Sequence, residues 1–279
     1  MLKQVLFVIT VIITLGIFAW TMNRIFKYFR FTKKKKISDF GERFWITFKV
    51  AFLQEKILRK PLVGLMHALV WWGFIVILFG SIEMIIDGLF GTEKILSFLG
   101  PFYNFMMASG DIFALIIAVA IIAFLIRRLF MHIHRFYGPE MKPISKMDAN
   151  LALMMIFLLM VSLQFMNVDY LLWTNATGEK AHGIYPVSKW LSSYYVGTPA
   201  ENAWIGYQVN WWAHILLIFI FANILPYSKH FHVFMSVPNV FVSRITPLGY
   251  VENMPNITKE VKLMMDPDAA FADPPESTT

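Results

Sequence analysis

A long apolar run leaves a chain few ways to fold, and residues 210–238, NWWAHILLIFIFANILPYSKHFHVFMSVP, form such a run. It exceeds the roughly 20 apolar residues that a helix needs to cross a bilayer. His214 stands near its start, and His230 and His232 stand near its end. Read as one helix, the eighteen residues from His214 to His232 make roughly five turns. Both imidazoles would then project from one face, about 27 Å apart. Histidine inside a span is costly and points to function. The pattern predicts haem groups held at two depths in a membrane.

Four further apolar runs accompany this one. With 57% hydrophobic residues, 27 Phe and 17 Met, the composition is that of a polytopic membrane protein rather than a soluble domain. The fold class expected is an all-α, five-transmembrane-helix bundle, with spans at about 5–26, 62–86, 110–131, 147–167 and 210–235. The first run is too long for a signal peptide and no small-residue cleavage site follows it, so it reads as a retained span. Residues 1–235 would form the membrane domain and 236–279 a Pro-rich cytoplasmic tail, disordered over its last ten or so residues. Asp39 is a plausible N-cap for an amphipathic helix between spans one and two. Phe40, Phe44, Phe48 and Phe52 recur there at i, i+4, which predicts a helix lying at the membrane interface. The long 168–209 connection should pack as a cap with a short helix around 187–195.

Loop charges set the expected orientation. The 27–60 connection has eleven Lys or Arg; Arg127, Arg128, Arg135, Lys142 and Lys146 follow span three, and Lys229, Arg244, Lys259 and Lys262 follow span five. The other two connections hold only Lys94, Lys180 and Lys189. The positive-inside rule therefore gives N-out/C-in in a bacterial-type cytoplasmic (inner) membrane. It also accounts for the net charge of +7 through topology and anionic lipid, without nucleic acid.

The chain has no cysteine, which excludes disulfides, iron–sulfur ligation and covalent haem attachment by its own residues. A haem would be b-type and held by side chains. His67 lies about six residues inside the cytoplasmic end of span two and His232 at the cytoplasmic end of span five, which makes them plausible axial partners; His230 competes with His232. A buried hydrogen-bonding histidine is the plainer alternative for His67, and a wetted interface explains His132 and His134. His214 would hold a second, outer haem, but its partner is unidentified. Met84 or His182 could serve, or His214 could help bind a quinone instead. Trp71 and Trp72 can pack on a porphyrin face or act as ordinary packing residues. Glu83 and Asp87, near the outer end of span two, can accept protons from a quinol or simply cap the helix at the water boundary.

The segment LPYSKHFHVFMSVP, with His214 upstream, resembles the last transmembrane helix of the respiratory nitrate reductase gamma-subunit family, which are five-span, N-out cytochrome b anchors. The resemblance implies that His214 and His232 are the outer and inner haem ligands on that helix. It implies that His67, in GLMHALVWWGF, is the inner ligand on span two. The family's second histidine on span two is replaced here by residues such as Ile77. Residues 41–74, GERFWITFKVAFLQEKILRKPLVGLMHALVWWGF, are similar to the membrane domain of iron–sulfur-binding oxidoreductases related to heterodisulfide reductase. The stretch SVPNVFVSRITPLGYVENMPN resembles the connector to their cluster-bearing domain. Together these imply a b-type cytochrome subunit carrying electrons between menaquinone or another quinone and a cytoplasmic iron–sulfur protein, on another chain or beyond this one. A haem-free anchor that docks a soluble redox complex through a basic inner face is the alternative.

Overall fold

In the computed structural model, residues 2–32, 36–131, 133, 136, 138, 142–246, 249–251 and 253–266 are described. His132, His134 and the last thirteen residues, for which disorder was expected in part, lie outside them. The described residues are helical and contain no strand. Five helices are long and apolar enough to cross a membrane: α1 (Leu2–Phe29), α4 (Pro61–Phe90), α5 (Pro101–Leu129), α6 (Pro143–Thr177) and α8 (Ala200–Ile224). Such helices satisfy their backbone groups internally, as a hydrocarbon environment demands. Proline opens α4, α5 and α6, where its missing N–H costs nothing.

Shorter elements connect them. Between α1 and α4 lie α2 (Phe40–Thr47), a π-helical turn (Phe48–Phe52) and α3 (Glu55–Leu58). Helix α7 (Pro186–Ser192) continues into a 3-10 turn (Ser193–Tyr195), where the sequence predicts a short helix. Helix α9 (His232–Phe241) ends the first compact unit, Met1–Val242. A separate unit, Ser243–Thr279, carries α10 (Pro255–Met265).

In the first unit α6 packs most extensively on α8, α5 lies between α4 and α6, and α1 covers α4 and α8. Phe7 of α1 is fully buried against Trp211 and Phe219. Its ring sits where a Cβ on Gly88 would be, 2.5 Å away, so only a residue without a side chain lets α1 approach α4 here. A second core, of Ile117, Ile121, Leu159 and Met160, lies between α5 and α6.

Three expectations need correction. First, α5 begins at Pro101, α6 runs on to Thr177 and α8 starts at Ala200, so the spans are longer and the expected 168–209 loop shrinks to 178–199. Polar residues such as Asn167 and Thr174 stay helical because they are buried and hydrogen-bonded inside the bundle. Second, Asp39 precedes α2 in a left-handed conformation and its side chain makes no cap; it accepts a hydrogen bond from Ser38 Oγ instead. Third, His214 and His232 do not share a helix. Helix α8 stops at Ile224; Leu225–Tyr227 and Lys229–Phe231 are 3-10 turns, and Ser228 between them is extended (φ −97°, ψ 157°). Pro226 has no N–H for the preceding turn, and its ring collides with the carbonyl of the residue four back. Ser228 Oγ accepts from the His230 N–H at 3.0 Å and starts the chain again in a new direction. The five-turn register is therefore broken just before His230.

Candidate functional site

Two groups of polar side chains interrupt the apolar bundle, one at the start of α4 and one towards its end.

At the first, His67 stands in the second turn of α4 and His232 is the first residue of α9. Their ring centroids are 6.4 Å apart with 30° between the planes. His232 Nδ1 donates to the Lys229 carbonyl at 3.1 Å; a carbonyl can only accept, so the neutral ring keeps its lone pair on Nε2. His67 Nδ1 is buried with no hydrogen-bond partner in the protein, and the same holds for Trp71 Nε1 one turn later. His230 is turned to Ser228, with Nδ1 at 3.1 Å from its hydroxyl. Burial, and then the neighbouring His232, lower the His230 pKa and favour a neutral ring. Trp71 packs on Phe74 and Phe52. Trp72 points elsewhere, and its Nε1 donates to the Phe52 carbonyl at 2.7 Å, which pins the π turn to α4.

The second group surrounds a cavity of about 40 Å³ between α4, α5, α6 and α8. His214 is 1% exposed. Its Nδ1 lies 3.0 Å from the Leu159 carbonyl and 3.1 Å from Ser162 Oγ, while its Nε2 has no partner in the protein. Glu83, Lys94, Asp111 and Tyr185 line the same cavity, all buried. Glu83 accepts from the Leu96 N–H and the Tyr103 hydroxyl, both at 3.0 Å. Asp111 accepts from the N–H groups of Val187 (2.7 Å) and Ser188 (3.0 Å), from Gln164 Nε2 (2.9 Å), and from the Ser188 hydroxyl. That carboxylate ties α7 to the bundle. The Lys94 ammonium lies over the rings of Tyr170 and Tyr185 at 5.1 and 5.6 Å, a cation–π arrangement.

The structure thus brings His67, Trp71 and His232 together at one site and Glu83 and His214 together at the other. Met84 also lines the cavity, whereas His182 is exposed, its backbone N–H bonded to the Tyr170 hydroxyl. Asp87 and Trp72 serve local structure. Asp87 accepts from Thr92 Oγ1 (2.6 Å) and from the N–H groups of Lys94 (2.8 Å) and Ile95 (3.2 Å), which shapes the turn after α4. Sequence reasoning missed Lys94, Asp111 and Tyr185 as members of the cavity. Asp111 had a signal, an ionisable residue within an apolar run; Lys94 and Tyr185, in connections, had none. Among the described residues no cluster of three or more His, Asp or Glu could hold a metal ion.

No family model matches the chain, and no solved structure does. It is similar to the "probable iron–sulfur-binding oxidoreductase FadF" of Bacillus subtilis, at 26% identity over 93% of this chain and 35% of that protein. It is also similar to the EtfAB:quinone oxidoreductase of Syntrophomonas wolfei, at 23% identity over 74% of this chain and 29% of that protein. The chain spans about a third of the length of these relatives or less. Neither is a nitrate reductase subunit. The chain is therefore similar to part of two oxidoreductases, one iron–sulfur-binding and one quinone-linked by name.

Proposed function

We propose that this chain is a membrane electron carrier linking a quinone pool to an iron–sulfur oxidoreductase partner, with a b-type haem held between His67 and His232. The observation that carries the reading is the 6.4 Å separation of these two rings. Two imidazoles bound to one metal ion through nitrogens about 2 Å from it bring their centroids to roughly 6 Å. The donor set fits as well. His232 presents Nε2 because Nδ1 is bonded to a backbone carbonyl, the usual orientation device for a ligating histidine, and Trp71 adds an apolar face one turn from His67. When bound, the haem iron supplies one-electron chemistry, and the protein sets its potential through ligands, burial and neighbouring hydrogen bonds.

The remaining assignments follow from residues and relatives. The basic 27–60 and 127–148 connections favour the N-out/C-in orientation, with the exposed Phe40 and Phe44 of α2 at the interface. The iron–sulfur partner and the quinone, menaquinone or another, are suggested by the names of the two relatives. Of the two carboxylates, both bonded to donors of the protein, Glu83 alone borders the cavity, so a proton released by a quinol bound outside the cavity would reach Glu83 through its water.

The test is a reduced-minus-oxidised spectrum with haem quantification on the detergent-purified chain. The reading expects a b-type band that is lost on replacing either His67 or His232 by alanine, while far-ultraviolet dichroism stays helical. Absence of the band in the unaltered chain sinks it and leaves a haem-free anchor.

A further inference from the structure

The resemblance to two-haem anchors puts a second haem at His214, and the residues there do not fit one. A second imidazole is missing from the cavity. Its 40 Å³ is far below the roughly 300–1,000 Å³ that enclose even a drug-sized ligand. We propose instead that this cavity is a water-filled chamber, a polar pocket in the half of the bundle away from His67 that joins His214 to Glu83 and Lys94 through bound water.

The neighbours of His214 fix its tautomer. The Leu159 carbonyl, 3.0 Å from Nδ1, can only accept, so Nδ1 carries the proton. The Ser162 hydroxyl donates to the same carbonyl at 3.0 Å and takes a share of the Nδ1 proton. Nε2 is then a bare acceptor, buried and facing no donor of the protein. The Tyr185 hydroxyl is a second buried group without a partner, and it lines the same cavity. Leaving either group unmet is costly, and buried polar atoms are almost always bonded to protein or water. The wall is largely apolar but carries His214, Glu83, Lys94 and Tyr185, and a cavity of this size with such partners holds about two or three waters. Water is thus the ligand that satisfies both groups, donating to Nε2 and accepting from the tyrosine. The chamber makes His214 a positioning residue for water rather than an iron ligand. This inference is independent of the haem proposed at His67 and His232.

The cavity wall supplies its own reporters. Met84, Met106, Met107 and Met166 line it, and all but Met106 are at most 8% exposed. Met155 and Met160 are buried to the same degree but lie away from it. Pulsed X-ray hydroxyl-radical footprinting of the purified chain generates radicals from bound water and converts adjacent methionines to sulfoxides. Peptide mass spectrometry should find the three buried wall methionines, Met84, Met107 and Met166, oxidised several-fold faster than Met155 and Met160. Equal rates for the two sets would overturn the chamber, as would two haems per chain in the same preparation. A chain with no haem at all but labelled wall methionines would sink the haem at His67 and leave the chamber standing.

Discussion

His67 and His232 face each other from a long helix and a short one, their ring centroids 6.4 Å apart, and the break at residues 225–231 allows it. Continuing α8 as a straight helix would set the direction of His232 by the register of α8. The 3-10 turns and the extended Ser228 set it instead, with the Lys229 N–H anchored on Asp148 Oδ2 at 2.9 Å. Pro226→Ala should let α8 propagate and rotate His232 away. The expected result is a b-type haem content below about half that of the parent chain with unchanged helicity, measured by pyridine haemochrome and dichroism, since removing the proline relieves a helix-breaking cost of about 3 kcal/mol.

Helix α1 depends on one missing side chain. A Cβ at Gly88 would lie 2.5 Å from the Phe7 ring, so Gly88→Leu must displace α1. Overpacking of this kind costs about 1–3 kcal/mol. The variant should lower the apparent melting temperature in detergent. Gly16→Ala, at a position with open space around it, should leave it unchanged.

Asp111 holds α7 against α6, accepting from donors on both helices. Asp111→Ala would strand the Val187 and Ser188 N–H groups and the Gln164 amide, each at about 1–3 kcal/mol when buried. Asp111→Asn keeps one acceptor oxygen and should cost less. Limited proteolysis at Lys189 should report the order Ala, Asn, parent, from fastest cut to slowest; equal rates would show that α7 is held by its apolar contacts instead.

Trp72 and Trp71 should separate cleanly. Trp72→Phe removes the bond to the Phe52 carbonyl, worth about 1 kcal/mol, and should speed tryptic cleavage at Lys49 and Lys56 with little change in haem content. Trp71→Ala should disturb the haem band and leave those cleavage rates near parental.

The two carboxylates of α4 give a kinetic contrast. Positioned proton acceptors contribute roughly 10²–10⁴-fold to rate. Glu83→Gln should therefore lower oxidation of a soluble menaquinol analogue by at least about tenfold. Asp87→Asn, which loosens only the turn after α4, should stay within about threefold of the parent by the same reasoning. The reverse order would return the role to Asp87.

The five apolar runs were legible because hydropathy is summed over twenty residues and survives any detail of packing. Helix ends were not. The residues that extend α6 to Thr177 include Tyr170 and Thr174, which are polar in sequence but buried against Lys94, α7 and α8 in space. The short helix after Pro186 was legible from its proline and its place in a long connection. The cavity was half legible: His214 and Glu83 stood out as ionisable residues in spans. Their neighbours Lys94 and Tyr185 come from connections and acquire meaning only when the loops fold back. That the rings of His67 and His232 are neighbours was suggested by depth only to within several ångströms, and the straight-helix register behind the first expectation is absent. Pro226 was visible, and its consequence for His232 lay in the backbone conformation of Ser228.

The break at Ser228 also makes a mechanical joint. Helix α8 is clamped along its length by α6, while α9 rests on α2 and the π turn, so the two helices answer to different neighbours. The extended Ser228 between the two 3-10 turns is where the chain leaves the axis of α8. The direction of His232 therefore follows Asp148 of α6 and the packing of α9 on α2, not the helical register of α8.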